Sequence, residues 1–376
     1  MRVAVLTTSY PSYPGDPAGH FVASAARALA QAGAEVHVVA PGGSLYAAPH
    51  RAREAGPGLW LHEAGGGELF GWPGAMARLR QAPWRLVGAV AFAHGVHRRL
   101  AEIGPVDRTV AHWMVPCGWP LALRATGELH VVAHGADVRL LCAMPAAARA
   151  GVVRALLARA SHVSFASERS REALLAALPT TLAAALGRGS TVELPALDVD
   201  VERARERGRT LRASLRLTPG ARLGVVSARL VAGKRVEVAV DAALTQRRLH
   251  LVVLGDGPER AALERRAAAA AGRVRFLGTV DRDEALGWTA AADVLIHPSR
   301  HEAAPCVVRE ARLLDVPVVA CAAGDVERWA ASDRGLRVVD GESRAMQCAV
   351  AELLLAPPRT ERGRSGGAAV VVSGDG

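Results

Sequence analysis

Aromatic residues are scarce, 4% of the chain, and no basic helix is interleaved with those that occur. A nucleic-acid surface is therefore the weakest reading of the formal charge of +10. Nucleotide phosphates or an anionic membrane face suit that charge better. Lysine is nearly absent while alanine and arginine dominate, a bias that suggests a GC-rich genome and carries little functional weight. The five cysteines, Cys117, Cys142, Cys306, Cys321 and Cys348, are scattered and form no C-x-x-C pair. That argues against a disulfide frame or zinc site and for reduced thiols in a cytoplasmic protein. No His/Cys/Asp group has metal-ligand spacing, so no metal is expected. No uncharged apolar run reaches the ~20 residues of a membrane span; the longest candidate, residues 86–96, is interrupted by His94. The N-terminal M-R-V-A-V-L-T-T-S-Y-P reads as a first strand rather than a signal peptide.

What is present is an alternation. With 376 residues and half of them apolar, the chain is long for one core and comfortable for two. Residues 2–7 form a continuous apolar run of the kind buried on both faces of a parallel sheet. A helical pattern at 22–31 and a strand at 35–40 complete a βαβ opening, and 42–75 read as loops with short strands. Helical spacing returns over 76–103, and strands resume at 108–112, 129–134 and 162–166. The composition shifts to a charged segment around 191–209, read as the linker and the start of the second domain, where the alternation restarts. The expected fold class is α/β: two facing Rossmann-like domains, 1–190 and 191–356, with an interdomain cleft. The glycine-rich stretch 357–376 has no period that could pack and reads as a disordered tail.

Three stretches carry chemistry. In S-A-R-L-V-A-G-K at 227–234, Arg229 and Lys234 flank a loop between a strand end and a helix start. Two cations beside free backbone N–H groups suit a diphosphate; a solvated loop with helix-flanking charges is the bland alternative. In L-G-D-G-P-E, Gly255 and Gly257 let a ligand approach the backbone, or form an ordinary turn with Pro258 opening a helix. The third glycine of a dinucleotide fingerprint is missing, Arg260 standing there, which argues against NAD. The third stretch, P-S-R-H-E-A-A-P-C-V-V-R-E-A, holds Glu302 and Glu310. Ser299 and Glu302 fit a capping box, but that would put Pro305 deep in a helix. A helix starting at Ala304 or Pro305 leaves Glu302 outside it, with Glu310 about 8–9 Å further along the axis. That exceeds the ~5 Å of a hydrolytic nucleophile/acid pair and suits a clamp on two parts of one ligand, sugar hydroxyls and ribose hydroxyls.

Other residues are weaker signals. His134 and His112 each end a strand where a side chain would face a cleft, though such histidines are more often structural. Asp198-Val-Asp200 resembles a metal-binding pair but lies in the linker, where a hinge is the simpler reading. The stretch 76–99, with Trp72, Trp84, Phe92, Arg78, Arg80, Arg85, Arg98 and Arg99, is either an anionic-membrane contact or one or two ordinary amphipathic helices.

Together these stretches resemble the GT-B retaining glycosyltransferases of family 4, the glycosyl transferases group 1, over nearly the whole chain to about residue 356. The 227–234 loop is similar to the family's G-R-L-x-x-x-K-G, implying diphosphate binding by Arg229 and Lys234. L-G-D-G-P-E resembles its glycine turn, and V-R-F-L-G at 274–278 its strand beside the base, which assigns Gly255, Gly257 and Leu277 to the donor base and backbone turn. The E-x7-E resemblance implies Glu302 toward the donor sugar and Glu310 on the ribose. His134 matches the histidine near the donor sugar, and Gly19 and His20 the acceptor loop. Ala303 stands where the family has Gly after the first Glu, Arg235 where it has Gly after the Lys, and the family's last helix is not found.

The implied activity is a hexosyltransferase that retains configuration, using a UDP- or GDP-sugar and no further cofactor. The leaving phosphate would deprotonate a glycan, lipid or small-molecule hydroxyl acceptor. Cell-envelope glycan or glycolipid synthesis in the cytoplasm, peripheral to the inner membrane face or free of it, is the expected setting. The alternatives are an inactive sugar-nucleotide or glycan-binding remnant, or a sugar-nucleotide epimerase or hydrolase on the same fold.

Overall fold

The structure is a computed structural model that describes residues 1–13, 16, 18–42, 52–70 and 74–355. Trp72 and the 357–376 tail lie outside the described residues. The chain divides into two compact units, the first running to Ala196 and the second starting at Leu197, where composition placed the boundary at 190/191.

The first unit is built on an eight-stranded sheet. Its strands are β1 (Arg2–Leu6), β2 (Glu35–Gly42), β3 (Arg53–Gly56), β4 (Leu59–Gly66), β5 (Arg108–His112), β6 (Glu128–Ala133), β7 (Ala160–Phe165) and β8 (Ser190–Val192). The order is β3-β4-β2-β1-β5-β6-β7-β8, all parallel except the β3–β4 pairing. Val3 to Leu6 are buried on both faces, as a helix-covered parallel strand requires. The order reverses between β1 and β5, a switch point at which the loops leaving adjacent strands part and open a crevice at the strand carboxyl ends.

The second unit is a six-stranded parallel sheet of β9 (Arg222–Ser227), β10 (Leu249–Leu254), β11 (Val274–Gly278), β12 (Val294–His297), β13 (Val318–Cys321) and β14 (Leu336–Val339). Its order, β11-β10-β9-β12-β13-β14, puts the switch point between β9 and β12.

Of the one or two helices expected over 76–103, the structure has two. Pro83 lacks an N–H and disfavours helix in the residue before it, so helix Ala75–Gln81 stops, a 3₁₀ turn spans Pro83–Leu86, and a second helix runs Val87–Ile103. Phe92 and Arg99 belong to the interior, not to an outward face. Arg99 donates to the Glu63 carbonyl at 2.9 Å and to Glu102 at 2.6 Å, and Arg78 donates to the carbonyls of Gly67 and Glu68. Within 191–209 an irregular segment crosses the unit boundary and the second unit opens with helix Val201–Ser214, started by Asp200, whose carboxylate accepts from the Arg203 N–H at 3.0 Å. Of the short strands expected within 42–75, β3 and β4 pair as a hairpin. Among the described residues no helix is long and apolar enough to cross a membrane, and all five cysteines are free.

Candidate functional site

The loops after β9 and β12 flank the switch point of the second unit and carry Arg229, Lys234 and Glu302. After β9 the chain runs through Arg229 to a short 3₁₀ turn, Ala232–Lys234, and then to helix Val236–Thr245. After β12 it passes Ser299 and Glu302 and enters a helix only at Cys306, with Pro305 as the cap. Ser299 and Glu302 therefore form no capping box; the Ser299 hydroxyl is buried and has no hydrogen-bond partner among the described residues. The two loops are joined by the Arg300 N–H donating to the Gly233 carbonyl at 3.1 Å.

Lys234 and Glu302, 68 residues apart, form an ion pair, Lys234 Nζ to Glu302 Oε1. Their side chains are 19% and 15% exposed. His297 Nε2, at the end of β12 and almost fully buried, lies 3.3 Å from the same oxygen. Burial would raise the Glu302 carboxyl pKa, but the Lys234 charge first and His297 second outweigh it and hold the group well below the ordinary carboxylate range. Arg229 is solvent-accessible at its loop position; desolvation lowers its guanidinium pKa and the charge of Glu302 opposes this. Arginine remains a cation throughout. Lys234 is the only lysine in the sequence.

Glu310 lies in helix Cys306–Leu313 on its buried side, with Val308 and Ala311. Its Oε1 accepts from Arg282 at 2.9 Å, and Arg282 also donates to the Asp198 carbonyl at 3.0 Å. Cys306, one helical turn before Glu310, has its thiol pKa raised to about 12, by burial first and by Glu310 second, so it remains protonated.

The glycines are explained by backbone contact. At Gly255 (φ +117°) a Cβ would stand 2.0 Å from the Ala228 carbonyl oxygen, and at Gly257 (φ +155°) 2.4 Å from that of Leu230. What approaches these residues is the Arg229 loop itself. Pro258 does not open the helix; it precedes Glu259, and the helix begins at Arg260. Leu277, near the end of β11, keeps 37% of its surface exposed.

At the switch point of the first unit, Gly19 caps helix His20–Gln31 with φ 62°, and a Cβ there would lie 2.2 Å from the Ser9 carbonyl oxygen. The rings of Phe21 and Trp113 each stand 4.9 Å from that of His134. His112 Nδ1 is 2.9 Å from His134 Nε2, and the two imidazoles stack. Burial holds the His112 pKa down to about 3, and burial followed by its neighbour His112 holds His134 well below its ordinary value. One nitrogen of the pair donates and the other accepts, which two neutral rings can do. Asp137 fastens both strand ends, accepting from the N–H groups of Met114 at 2.7 Å and His134 at 3.1 Å. Trp113 has φ 73°, a conformation rare for a bulky residue and typical of constrained sites.

Of the residues expected from sequence, Lys234, Glu302 and Arg229 come together, and Gly255 and Gly257 buttress them. Glu310 is held apart by its own partner, Arg282. His134, Gly19 and His20 lie in the first unit. His297, Arg282 and Asp137 were missed. The strand-end position of His297 in I-H-P-S was the one available signal, since Arg282 and Asp137 acquire their roles only through tertiary contact.

The family model of glycosyl transferases group 1 matches residues 221–355. No curated protein matches the sequence. Among solved structures, a trehalose-phosphate synthase (UDP-forming) from Burkholderia vietnamiensis is similar with a TM-score of 0.69 and 16% identity, over 95% of this chain and 91% of that one. Sucrose-phosphate synthase from Thermosynechococcus elongatus gives 0.68 and 20% identity over 94% and 90%. Anabaena HepE in complex with UDP gives 0.62 and 17% identity over 94% and 90%. These likenesses show the two-domain GT-B fold. The match to the glycosyl transferases group 1 covers residues 221–355, the segment that holds Arg229, Lys234, Glu302 and Glu310.

Proposed function

We propose that the chain moves a hexosyl group from a UDP- or GDP-sugar to a hydroxyl acceptor with retention of anomeric configuration, in the synthesis of an envelope glycan or glycolipid. The observation that carries this reading is the Lys234–Glu302 pair beside Arg229 at the β9/β12 switch point. In a chain that uses arginine at every other basic position, the single lysine stands there. An ammonium is a compact point charge, able to exchange a carboxylate for a phosphate oxygen with little rearrangement, where a guanidinium fork is larger and directional.

On donor binding, Lys234 and Arg229 take the diphosphate and stabilise the charge that grows on it as the glycosidic bond breaks. Glu302, released from Lys234, accepts hydroxyls of the sugar, while Glu310, oriented by Arg282, accepts those of the ribose. His134, neutral and backed by His112, offers an uncharged imidazole to the sugar. The UDP bound to HepE supports a uridine donor. The exposed Trp84, Leu86, Val87 and Val90 support a peripheral seat on an anionic membrane and a lipid-linked acceptor. A cytoplasmic location accords with this reading.

Thermal shift against a panel of UDP- and GDP-sugars tests it. One nucleotide should raise Tm, and Glu310→Ala should abolish that rise. Donor supplied with a hydroxyl acceptor should then give a glycoside of unchanged anomeric configuration. If neither UDP nor GDP moves Tm, the transferase reading fails. If a donor binds and is only epimerised or hydrolysed, the rival chemistry takes its place.

A further inference from the structure

Sequence spacing gave no metal-ligand group, yet the first sheet assembles one from three strands. His130 on β6 and His162 on β7 are direct partners across the parallel pair. Ser164, two residues beyond His162, is paired with Thr191 on β8, and Glu193 follows two residues later. Alternation along a strand puts His130, His162, Ser164, Thr191 and Glu193 on one face. Val131, Val163 and Phe165 point the other way, into the core.

We propose that His130, His162 and Glu193 form a site for a divalent transition-metal ion of the zinc type. One ligand atom from each lies within 4.8 Å of the others. Bonds of about 2.0–2.2 Å in a tetrahedral site separate the donors by about 3.3–3.5 Å. His162 Nε2 and Glu193 Oε1 already stand 3.3 Å apart, so closing the set needs only small rotations of side chains that are half-buried or exposed. Two imidazoles and one carboxylate suit zinc, whereas calcium and magnesium prefer oxygen ligands throughout.

A hydroxyl is placed to orient one ligand. The fully buried Ser164 Oγ is 2.9 Å from His130 Nε2, a contact that fixes ring orientation when the other ring nitrogen binds the ion. Thr191 Oγ1, 2.8 Å from His162 Nε2 and 2.7 Å from Glu193 Oε1, holds the atoms that would ligate and would yield them to the ion. Arg108 on β5 opposes a cation here, and its contact with Glu128 at 3.5 Å offsets part of that charge. Three protein ligands leave a fourth position for water. The ion would tie the three-residue edge strand β8, and the chain that leaves it, to β6 and β7.

The test uses the full chain, stripped with EDTA and titrated calorimetrically with Zn²⁺ alone, then with Co²⁺ for its visible spectrum. One equivalent should bind with micromolar or tighter affinity. His162→Asn and Glu193→Gln should each weaken it by about tenfold or more, and Zn²⁺ should raise Tm in the parent but not in these variants. Glu193 is exposed and its amide isosteric, so that variant tests the site even if a histidine variant misfolds. The Co²⁺ spectrum should be tetrahedral without a thiolate band. Absence of binding at 100-fold above micromolar (about 0.1 mM), unchanged binding in Glu193→Gln and His162→Asn, or a thiolate band pointing to the cysteines would each overturn the proposal.

Discussion

Replacing Lys234 with Met removes the ammonium paired with a carboxylate whose largest single influence is burial. At an effective dielectric of about 20 and contact separation, the pair's attraction is about 5 kcal/mol before desolvation is subtracted. Breaking a buried pair from one side costs about 3–5 kcal/mol. The residual exposure of both side chains, 19% and 15%, brings the expected loss for Lys234→Met down to about 2–3 kcal/mol. Lys234→Met/Glu302→Gln should recover more than half of it, because no charge is then left unpaired. The sign with pH is fixed by Glu302. Its folded pKa is depressed below 4.5, so the pair contributes stability above that value and loses it as pH falls. The gap between parent and Lys234→Met should therefore narrow below about pH 4.5. Urea unfolding followed by circular dichroism, at pH 7.5 and pH 4, measures all of this. Thermal shift with UDP separates stability from binding. The double variant should be stable yet blind to UDP, whereas Glu302→Gln, altered only on the sugar side, should keep the response. A loss below about 0.5 kcal/mol in Lys234→Met would refute the energetic reasoning, and loss of the UDP response in Glu302→Gln would refute the assignment of ends.

Two further outcomes are expected. Arg235 occupies a left-handed conformation, φ 52° and ψ 39°, that costs a side-chain-bearing residue about 1–2 kcal/mol. Arg235→Gly should therefore raise Tm above that of Arg235→Ala, in which the strain persists; equal values would show that there is no strain to relieve. His112 and His134 are neutral in the fold and protonate in the unfolded chain below pH 6.5, so stability is full above that value and falls as pH drops toward 5. The slope is up to about 1.4 kcal/mol per pH unit for each imidazole, and it should flatten in His112→Gln/His134→Gln; an unchanged slope would place the protons elsewhere.

The legible part of the site was the part written locally. Pro305 cannot sit six residues into a helix, so the helix start and the exclusion of Glu302 from it followed from the chain alone, and the structure places both accordingly. The alternation of apolar runs with helical spacing likewise gave the α/β class, because a strand buried on both faces has no other pattern. What could not be read were partners set by strand order and register. Arg282 meets Glu310 across 28 residues, and His112 meets His134 across 22. The histidine contact does not follow from spacing until β5 is known to lie beside β6. The His130, His162 and Glu193 cluster is the sharpest case, since three unremarkable residues become neighbours only when three strands pair in one register. The helix bounds within 76–103 and 191–209 were unread for a different cause. A helical period does not register a proline break, and a charged run says nothing of the aspartate that caps it.

The candidate site is shaped by main chain against main chain. Gly255 and Gly257 receive the carbonyls of Ala228 and Leu230, and Gly324 receives that of Ala303, where a Cβ would stand 2.0 Å away. Both functional loops are thus seated by contacts that involve no side-chain identity. The scaffold separates where the loops are from what they display. Positions such as Ala232, Arg300 and His301 can be varied in a combinatorial library without moving the loops, provided the three glycines stay. Specificity for a new donor can then be sought by changing loop residues alone, on a frame that does not need to be rebuilt for each one.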